Sequence, residues 1–173
     1  APDAIEAAIF QSKVCYTHRS YFGSLSACKS PIMRCLYIAH RAPFPPAGGA
    51  KVRAFNSIKH LHDEGHEVTV ATLVRDDTEA REIEGLGDFC TDVVIERTRE
   101  GLQTLRMIGN LLTPTPSTMA YFHSPALHQR IRALHAEKPF DLVICHSSSV
   151  APYALPLKGA KKILDFVDMD SQK

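Results

Sequence analysis

From residue 33 onward, short apolar runs alternate with stretches of helical periodicity. Five runs rich in apolar or β-branched residues predict strands at residues 35–40, 66–74, 91–95, 141–145 and 161–168. Between them apolar positions recur at helical spacing, most clearly at Val52, Phe55, Ile58 and Leu61. The predicted helices are residues 49–64, 76–87, 99–112, 124–137 and 149–156.

Apolar strands that alternate with helices are typical of βαβ units, whose parallel strands are buried on both faces. We therefore expect an α/β fold with a doubly wound, mostly parallel sheet and helices on both faces. In such sheets ligands bind at the carboxyl ends of the strands, where the loops gather. The residues that follow each strand are thus the first candidates for chemistry.

Composition fits one globular domain and sets the first residues apart. The chain has 173 residues, of which 45% are hydrophobic and 23% charged, enough for one buried core. Residues 1–32 lack the periodicity of the rest, and Met33 is the expected start of the folded unit. We interpret residues 1–32 as an N-terminal extension, non-native or poorly packed, and residues 33–173 as a Rossmann-like domain.

The net charge and the cysteine spacing indicate which partners and which cellular compartment to expect. The formal net charge is +1, so no overall field favours nucleic acid, and none is expected as a partner. No apolar run approaches the roughly 18–20 residues that span a bilayer. The five cysteines are scattered, without a CxxC pair, which favours a reducing cytoplasm over a disulfide framework.

The first candidate site is the loop before the first helix, in LYIAHRAPFPPAGGAKVRAF at residues 36–55. Gly48 and Gly49 carry no Cβ, so a ligand can approach where the helix presents free N–H groups. Lys51 and Arg53 add positive charge in the first turn. Both GxGxxG and GxxxxGK[ST] are absent. The location favours a phosphate or another anion, and an ordinary tight turn stays open as the alternative.

The second candidate is His146, which ends the fourth predicted strand in DLVICHSSSV. A neutral imidazole at that edge can act as a general base toward a hydroxyl, while a histidine that only bonds to backbone stays an alternative. Cys145 precedes it on the same strand, so the two side chains point to opposite faces and cannot form a nucleophile–base pair. A serine hydrolase is disfavoured because the GxSxG elbow is absent.

Two motifs that contain metal-ligating residue types are weak. In KHLHDEGH, at residues 59–66, the first two histidines face apart, and a glycine ends the helix before the third. In DFVDMDS, at residues 165–171, Asp165, Asp168 and Asp170 close the last strand, and hydrogen bonding at the rim is favoured over a metal role. No metal site is predicted.

Three stretches together resemble the N-terminal half of a family 4 glycosyltransferase of the GT-B architecture. They are residues 36–73 with the proline and glycine loop, FDLVICHSSSVAPYAL at residues 140–155, and ILDFVDMDS at residues 163–171. The resemblance covers residues 33–173, in particular to sugar transferases of bacterial exopolysaccharide systems. In many relatives the fourth strand reads H-x-H, whereas Ile144 replaces the first histidine here.

This resemblance implies transfer of a sugar from a nucleotide-sugar donor to a saccharide or lipid-linked acceptor. It maps the two glycines of the loop onto residues that approach the donor phosphates or the reacting sugar, and His146 onto an active-site histidine. Arg53 matches a basic residue that contacts the acceptor or a phosphate. The expected substrate-binding residues are Gly48, Gly49, Lys51, Arg53, Ser147 and Asp168.

The resemblance also implies a second, donor-binding domain outside these residues, so the chain alone is expected to be inactive. No metal and no cofactor are expected. The expected location is the cytoplasm, with peripheral association at the inner face of the membrane left open. Two alternatives remain: a non-catalytic α/β module that binds a small anion or a protein partner, and a nicotinamide-dependent oxidoreductase with Asp76 or Asp77 closing the second strand.

Overall fold

The computed structural model describes residues 31–98, 119 and 121–166. Its strands are β1 (Arg34–Ala39), β2 (Glu67–Val74), β3 (Asp92–Arg97), β4 (Leu142–His146) and β5 (Lys161–Asp165). Its helices are α1 (Gly49–Asp63), α2 (Asp77–Glu82), α3 (Pro125–Glu137) and α4 (Ala151–Ala154), with 3-10 turns at Ile83–Leu86 and Ser148–Val150. The helix predicted at residues 99–112 lies outside the described residues.

The five strands form one parallel sheet in the order β3-β2-β1-β4-β5. The chain runs outward from β1 to β3 and then crosses back to β4, so the strand order reverses beside β1. The register aligns Ala39, His146 and Asp165 at the carboxyl ends of three neighbouring strands. The predicted α/β fold with a parallel sheet is confirmed.

Side chains on the two faces of the sheet pack into two separate hydrophobic clusters. On one face Leu36 of β1 and Ile131 of α3 belong to the same buried cluster. On the other face Tyr37 of β1 and Ile58 of α1 pack together. Because consecutive strand residues point to opposite faces, β1 is buried on both sides, as expected for the central strand of a doubly wound sheet.

The two aspartates after β2 have structural partners. The Asp76 carboxylate accepts hydrogen bonds from the backbone N–H groups of Thr78 and Glu79, at 2.9 and 2.8 Å, and so caps α2. Asp77 pairs with Arg97 at the end of β3. Each of these two carboxylates therefore has a structural role in the fold.

Phe44 packs the loop after β1 against the 3-10 turn that follows α2. A Cβ placed on Gly85 of this turn would overlap the Phe44 ring, which also lies 5.7 Å from the Phe55 ring of α1, centroid to centroid. We expect Gly85→Ala to lower the free energy of unfolding by about 1–3 kcal/mol, measured by urea denaturation, because the ring must move.

The Phe44→Ala background tests whether that loss comes from the ring. With the ring removed, Gly85→Ala is expected to cost little, so the two changes should be strongly non-additive. Equal costs of Gly85→Ala in both backgrounds would show that the loop is not packed on this turn.

Candidate functional site

The loop after β1 delivers the amino end of α1 to the carboxyl edge of the sheet. Gly48, the residue before the helix, has φ 94° and ψ 151°, a conformation that is essentially restricted to glycine. The helix has no side-chain cap and no acidic residue in its first turn, so its first N–H groups are left to a ligand or to water. A Cβ on Gly48 or Gly49 would meet nothing within 4 Å, which leaves the approach to this helix end open.

His146 lies beside this helix end and is almost completely buried, with 2% of its surface exposed. Its Nδ1 is 3.1 Å from the Tyr37 hydroxyl and 3.3 Å from Oδ2 of Asp165. Its Nε2 is buried and has no hydrogen-bond partner. Together with Pro43 and Ala50, His146 lines a cavity of about 40 Å³ between the loop and α1.

Asp165, at the end of β5, connects the histidine to α1. Its Oδ1 accepts a 2.6 Å hydrogen bond from Nη2 of Arg53, while Oδ2 faces the imidazole. Its backbone carbonyl accepts a 2.9 Å hydrogen bond from the N–H of Ser147. The ends of β4 and β5 and the first turns of α1 therefore meet at this carboxylate.

The backbone at Ser147 is strained. Its φ of 93° and ψ of 145° lie in the region that glycine alone adopts readily, and no other described non-glycine residue has a positive φ. Such a conformation costs about 1–3 kcal/mol and is concentrated at functional sites. The Ser147 Oγ accepts a 3.3 Å hydrogen bond from the N–H of Ser149, which caps the 3-10 turn after β4.

A pair of substitutions at Ser147 separates the strain from the cap. We expect Ser147→Gly to leave the free energy of unfolding unchanged or raised, because glycine relieves the strain and replaces a serine cap at a cost of a few tenths of a kcal/mol. Ser147→Ala keeps the strain and loses the cap, so it should lower the same quantity by about 1 kcal/mol. Equal stability of the two variants in thermal or urea unfolding would rule out the strained backbone.

Burial keeps the two histidines of this edge neutral. It lowers the pKa of His146 below the ordinary value, against the opposing effect of the Asp165 carboxylate. It also lowers the pKa of His40, whose Nδ1–H donates to the His146 carbonyl at 3.3 Å. The neutral imidazole that general-base chemistry requires is thus present at physiological pH.

These shifts predict how stability depends on pH. Both pKa values are lower in the folded chain, so below about pH 6.5 the unfolded state binds more protons, and protonation favours unfolding. We expect the free energy of unfolding to be insensitive to these groups above about pH 7 and to fall as the pH drops from about 6.5 to 5. Urea denaturation across this range should give a shallower slope for His146→Asn, and an unchanged slope would contradict the neutral buried imidazole.

The structure brings part of the predicted site together. The predicted residues that converge on Asp165 are His146, Arg53 and Ser147. Lys51 lines the same cavity as His146, and residues 48–49 stand at the open end of α1. Asp168 lies outside the described residues.

Three side chains of this network are absent from the predicted site: Tyr37, His40 and Asp165. The position of Asp165 at the end of the last strand is a signal that places it on the same edge as His146. Tyr37 gives no such signal, because it stands inside an apolar run and differs in no visible way from a core residue. Only the register of β1 beside β4 brings its hydroxyl to the imidazole.

The described ranges, residues 31–98 and 121–166, offer neither a metal cluster nor a membrane-spanning helix. No group of three or more His, Cys, Asp or Glu side chains in these ranges could hold a metal ion. The described helices include none that is long and apolar enough to cross a bilayer. In the weak motif at residues 59–66, His66 Nδ1 accepts a 3.3 Å hydrogen bond from the N–H of Met33, and the His62 ring packs edge-on against Phe89.

Two solved structures have folds similar to this chain. One is the C-terminal domain of PF1911 hydrogenase from Pyrococcus furiosus, with 15% identity, a TM-score of 0.49, and coverage of 85% of this chain and 100% of that one. The other is TcCGT1 in complex with UDP, with 17% identity and a TM-score of 0.43; the match covers 78% of this chain and 28% of that one. Likenesses this distant carry no conclusion about function.

The amino-acid sequence matches a protein family over most of its length. No curated protein matches the chain. A family model described as Glycosyltransferase Family 4 matches residues 47–165, which include Gly48, Gly49, His146 and Asp165. Because this match spans more than half of the sequence, the chain belongs to glycosyltransferase family 4.

Proposed function

We propose that the chain is the acceptor-side domain of a glycosyltransferase that moves a sugar from a nucleotide-sugar donor to a saccharide or lipid-linked acceptor. Family membership supports glycosyl transfer in general. The observation that carries the proposal is the buried Nε2 of His146, which has no protein partner and lies in a side chain that lines the cavity beside α1. A buried polar atom left without a partner costs free energy, and a substrate hydroxyl admitted to the cavity beside α1 would supply the missing partner.

The amino end of α1 suits the phosphate of the donor. Free N–H groups and the positive end of the helix dipole favour an anion there. Gly48 and Gly49 leave room for close approach, and Lys51 adds a positive charge in the first turn. A sugar attached to that phosphate would then lie at the mouth of the loop, next to His146.

His146 acts on the sugar side of this arrangement. As a neutral imidazole it can accept a proton from the acceptor hydroxyl or orient that hydroxyl by a hydrogen bond. Arg53 remains 57% exposed despite its pairing with Asp165, so its guanidinium still has donors to offer an acceptor or a phosphate. Ser147 and Asp168 complete the proposed substrate-binding set.

In the proposed enzyme, separate domains contact the acceptor and the nucleotide-sugar. Residues 33–173 form the acceptor-side domain, residues 1–32 are an extension outside it, and a second domain supplies the main contacts to the nucleotide-sugar. The enzyme works in the cytoplasm in a bacterial exopolysaccharide system, peripherally at the inner face of the membrane where its acceptor is lipid-linked.

Amide NMR spectra of the chain, titrated with sugar phosphates and nucleotide-sugars, test this function. We expect shifts confined to residues 40–51 and 146–149, weaker for the free monosaccharide than for its phosphate. Inorganic phosphate is the control for anion binding alone. Shifts with inorganic phosphate, and none attributable to any saccharide, would favour a non-catalytic anion-binding module and contradict sugar transfer.

A further inference from the structure

We infer that Asp165 is a positioning residue for His146: its carboxylate, held by Arg53, keeps the imidazole proton on Nδ1 and leaves Nε2 as the free nitrogen that meets the substrate. The role of Nε2 toward substrate rests on the proposed function. The tautomer itself is a property of the folded chain and is measurable without any substrate.

The contacts at Nδ1 determine where the proton sits. An ionised carboxylate can only accept hydrogen bonds, and Oδ2 of Asp165 lies 3.3 Å from Nδ1. An unprotonated Nδ1 would turn its lone pair toward this negative charge, whereas Nδ1–H donates to it. The Tyr37 hydroxyl, 3.1 Å from Nδ1, accepts from Nδ1–H or donates to an unprotonated Nδ1, so the charge of Asp165 is the contact that selects between the two forms.

The surroundings of Nε2 favour the same tautomer. A proton on Nε2 would be a buried donor without a hydrogen-bond acceptor, which costs more than an unused lone pair. The backbone of Ala50 interacts with the imidazole in the direction that favours its charged form, although Nε2 makes no contact that meets hydrogen-bond geometry. The His40 ring stacks on His146 with centroids 6.1 Å apart and bonds to its carbonyl, leaving Nε2 untouched.

Arg53 fixes the carboxylate from the helix side. Its Nη2 donates to Oδ1 of Asp165 at 2.6 Å, so Oδ2 stays directed at the imidazole. The same helix begins at Gly49, so the ion pair couples the orientation of His146 to the loop that leads into α1. Because Arg53 is more than half exposed, its contribution is expected to be smaller than that of Asp165.

The test is a long-range ¹H–¹⁵N correlation spectrum of the ¹⁵N-labelled chain, which distinguishes protonated from unprotonated ring nitrogens. His135 provides the opposite reference within the same molecule: its Nδ1 accepts from the Phe140 N–H at 3.2 Å and its Nε2–H donates to the Lys158 carbonyl at 2.9 Å. We expect His146 to show Nδ1–H and His135 to show Nε2–H at neutral pH. An Nε2–H signal for His146 in the unaltered chain overturns the inference.

Asp165→Asn keeps the shape of the side chain almost unchanged but replaces a group that only accepts hydrogen bonds by one that can donate them. Its amide can donate to Nδ1, so we expect the His146 proton to move to Nε2 while the His135 signals stay in place. An unchanged His146 tautomer in the folded variant contradicts the positioning role. If Asp165→Asn does not fold, Arg53→Gln is the second variant, because it leaves the carboxylate in place. We expect His146 to populate both tautomers in this variant. A signal from Nδ1–H alone would count against the role of Arg53 in holding the Asp165 carboxylate.

A sugar-transfer assay of the full-length protein then tests whether the tautomer of His146 matters for turnover. Asp165→Asn is expected to lower kcat by on the order of a hundredfold or more with little change in KM, as when a catalytic histidine is held in the wrong tautomer. A switched tautomer with unchanged kcat overturns the positioning role in catalysis. A switched tautomer in a protein that transfers no sugar with any donor rejects the proposed function but leaves the arrangement of Asp165 and His146 intact.

Discussion

Replacing His146 by alanine in the full-length protein is expected to lower the turnover number of sugar transfer by on the order of 10²–10⁴-fold. The imidazole is neutral and nearly buried, with a nitrogen that no protein group uses, next to the open end of α1. On the proposed function, alanine removes the group that would orient or deprotonate the acceptor hydroxyl. Initial rates at saturating donor and acceptor measure the loss.

His128 is the matched control for this substitution. Its Nδ1 is likewise buried without a hydrogen-bond partner, but it lies on α3, with its ring 5.8 Å from the Tyr153 ring, on the other face of the sheet. His128→Ala should reduce stability and leave turnover near normal. Near-normal turnover of a folded His146→Ala protein would remove the histidine from the mechanism.

The second large effect is expected at Gly48. Its positive φ makes any side chain there strained, so Gly48→Ala should lower the free energy of unfolding by about 1–3 kcal/mol. The added methyl group also stands where a phosphate would approach the helix end. We expect the dissociation constant of a sugar phosphate to rise at least roughly tenfold, equivalent to about 1.4 kcal/mol.

Gly159 is the control that separates the loss of stability from the loss of sugar-phosphate binding. It has φ +86°, its Cβ would also meet nothing within 4 Å, and it lies in the turn before β5. Gly159→Ala should therefore cost comparable stability without weakening the binding of a sugar phosphate. Calorimetric titration of both variants measures the difference, and equal loss of binding in both would mean that Gly48 acts through stability alone.

The sheet could be predicted because its signals are local. The apolar runs around β1 and β4 reflect burial of the strands on both faces, and the periodic apolar positions of α1 reflect burial of one helix face. Burial is visible in residue type. The ends of strands were less predictable. β3 continues through Glu96 and Arg97, since pairing with Leu73 and Val74 extends the ladder beyond the apolar residues.

The site was predictable only where position along the chain was enough. His146 ends a strand and the glycines lie in the loop after one, and the location rule for parallel sheets finds both. The Tyr37 contact and the ion pair between Arg53 and Asp165 join residues more than 100 positions apart, which depends on register rather than on any motif. The strained backbone of Ser147 is equally invisible in a run of three serines.

A crystal structure of the full-length protein with a bound nucleotide-sugar would locate the substrate relative to His146. We expect the phosphates at the amino end of α1, against Gly48 and Gly49, and the sugar within contact distance of the imidazole, with Nε2 free to meet an acceptor hydroxyl. A sugar bound away from this edge of the sheet, with Nε2 still facing only protein, would contradict the assignment of the site.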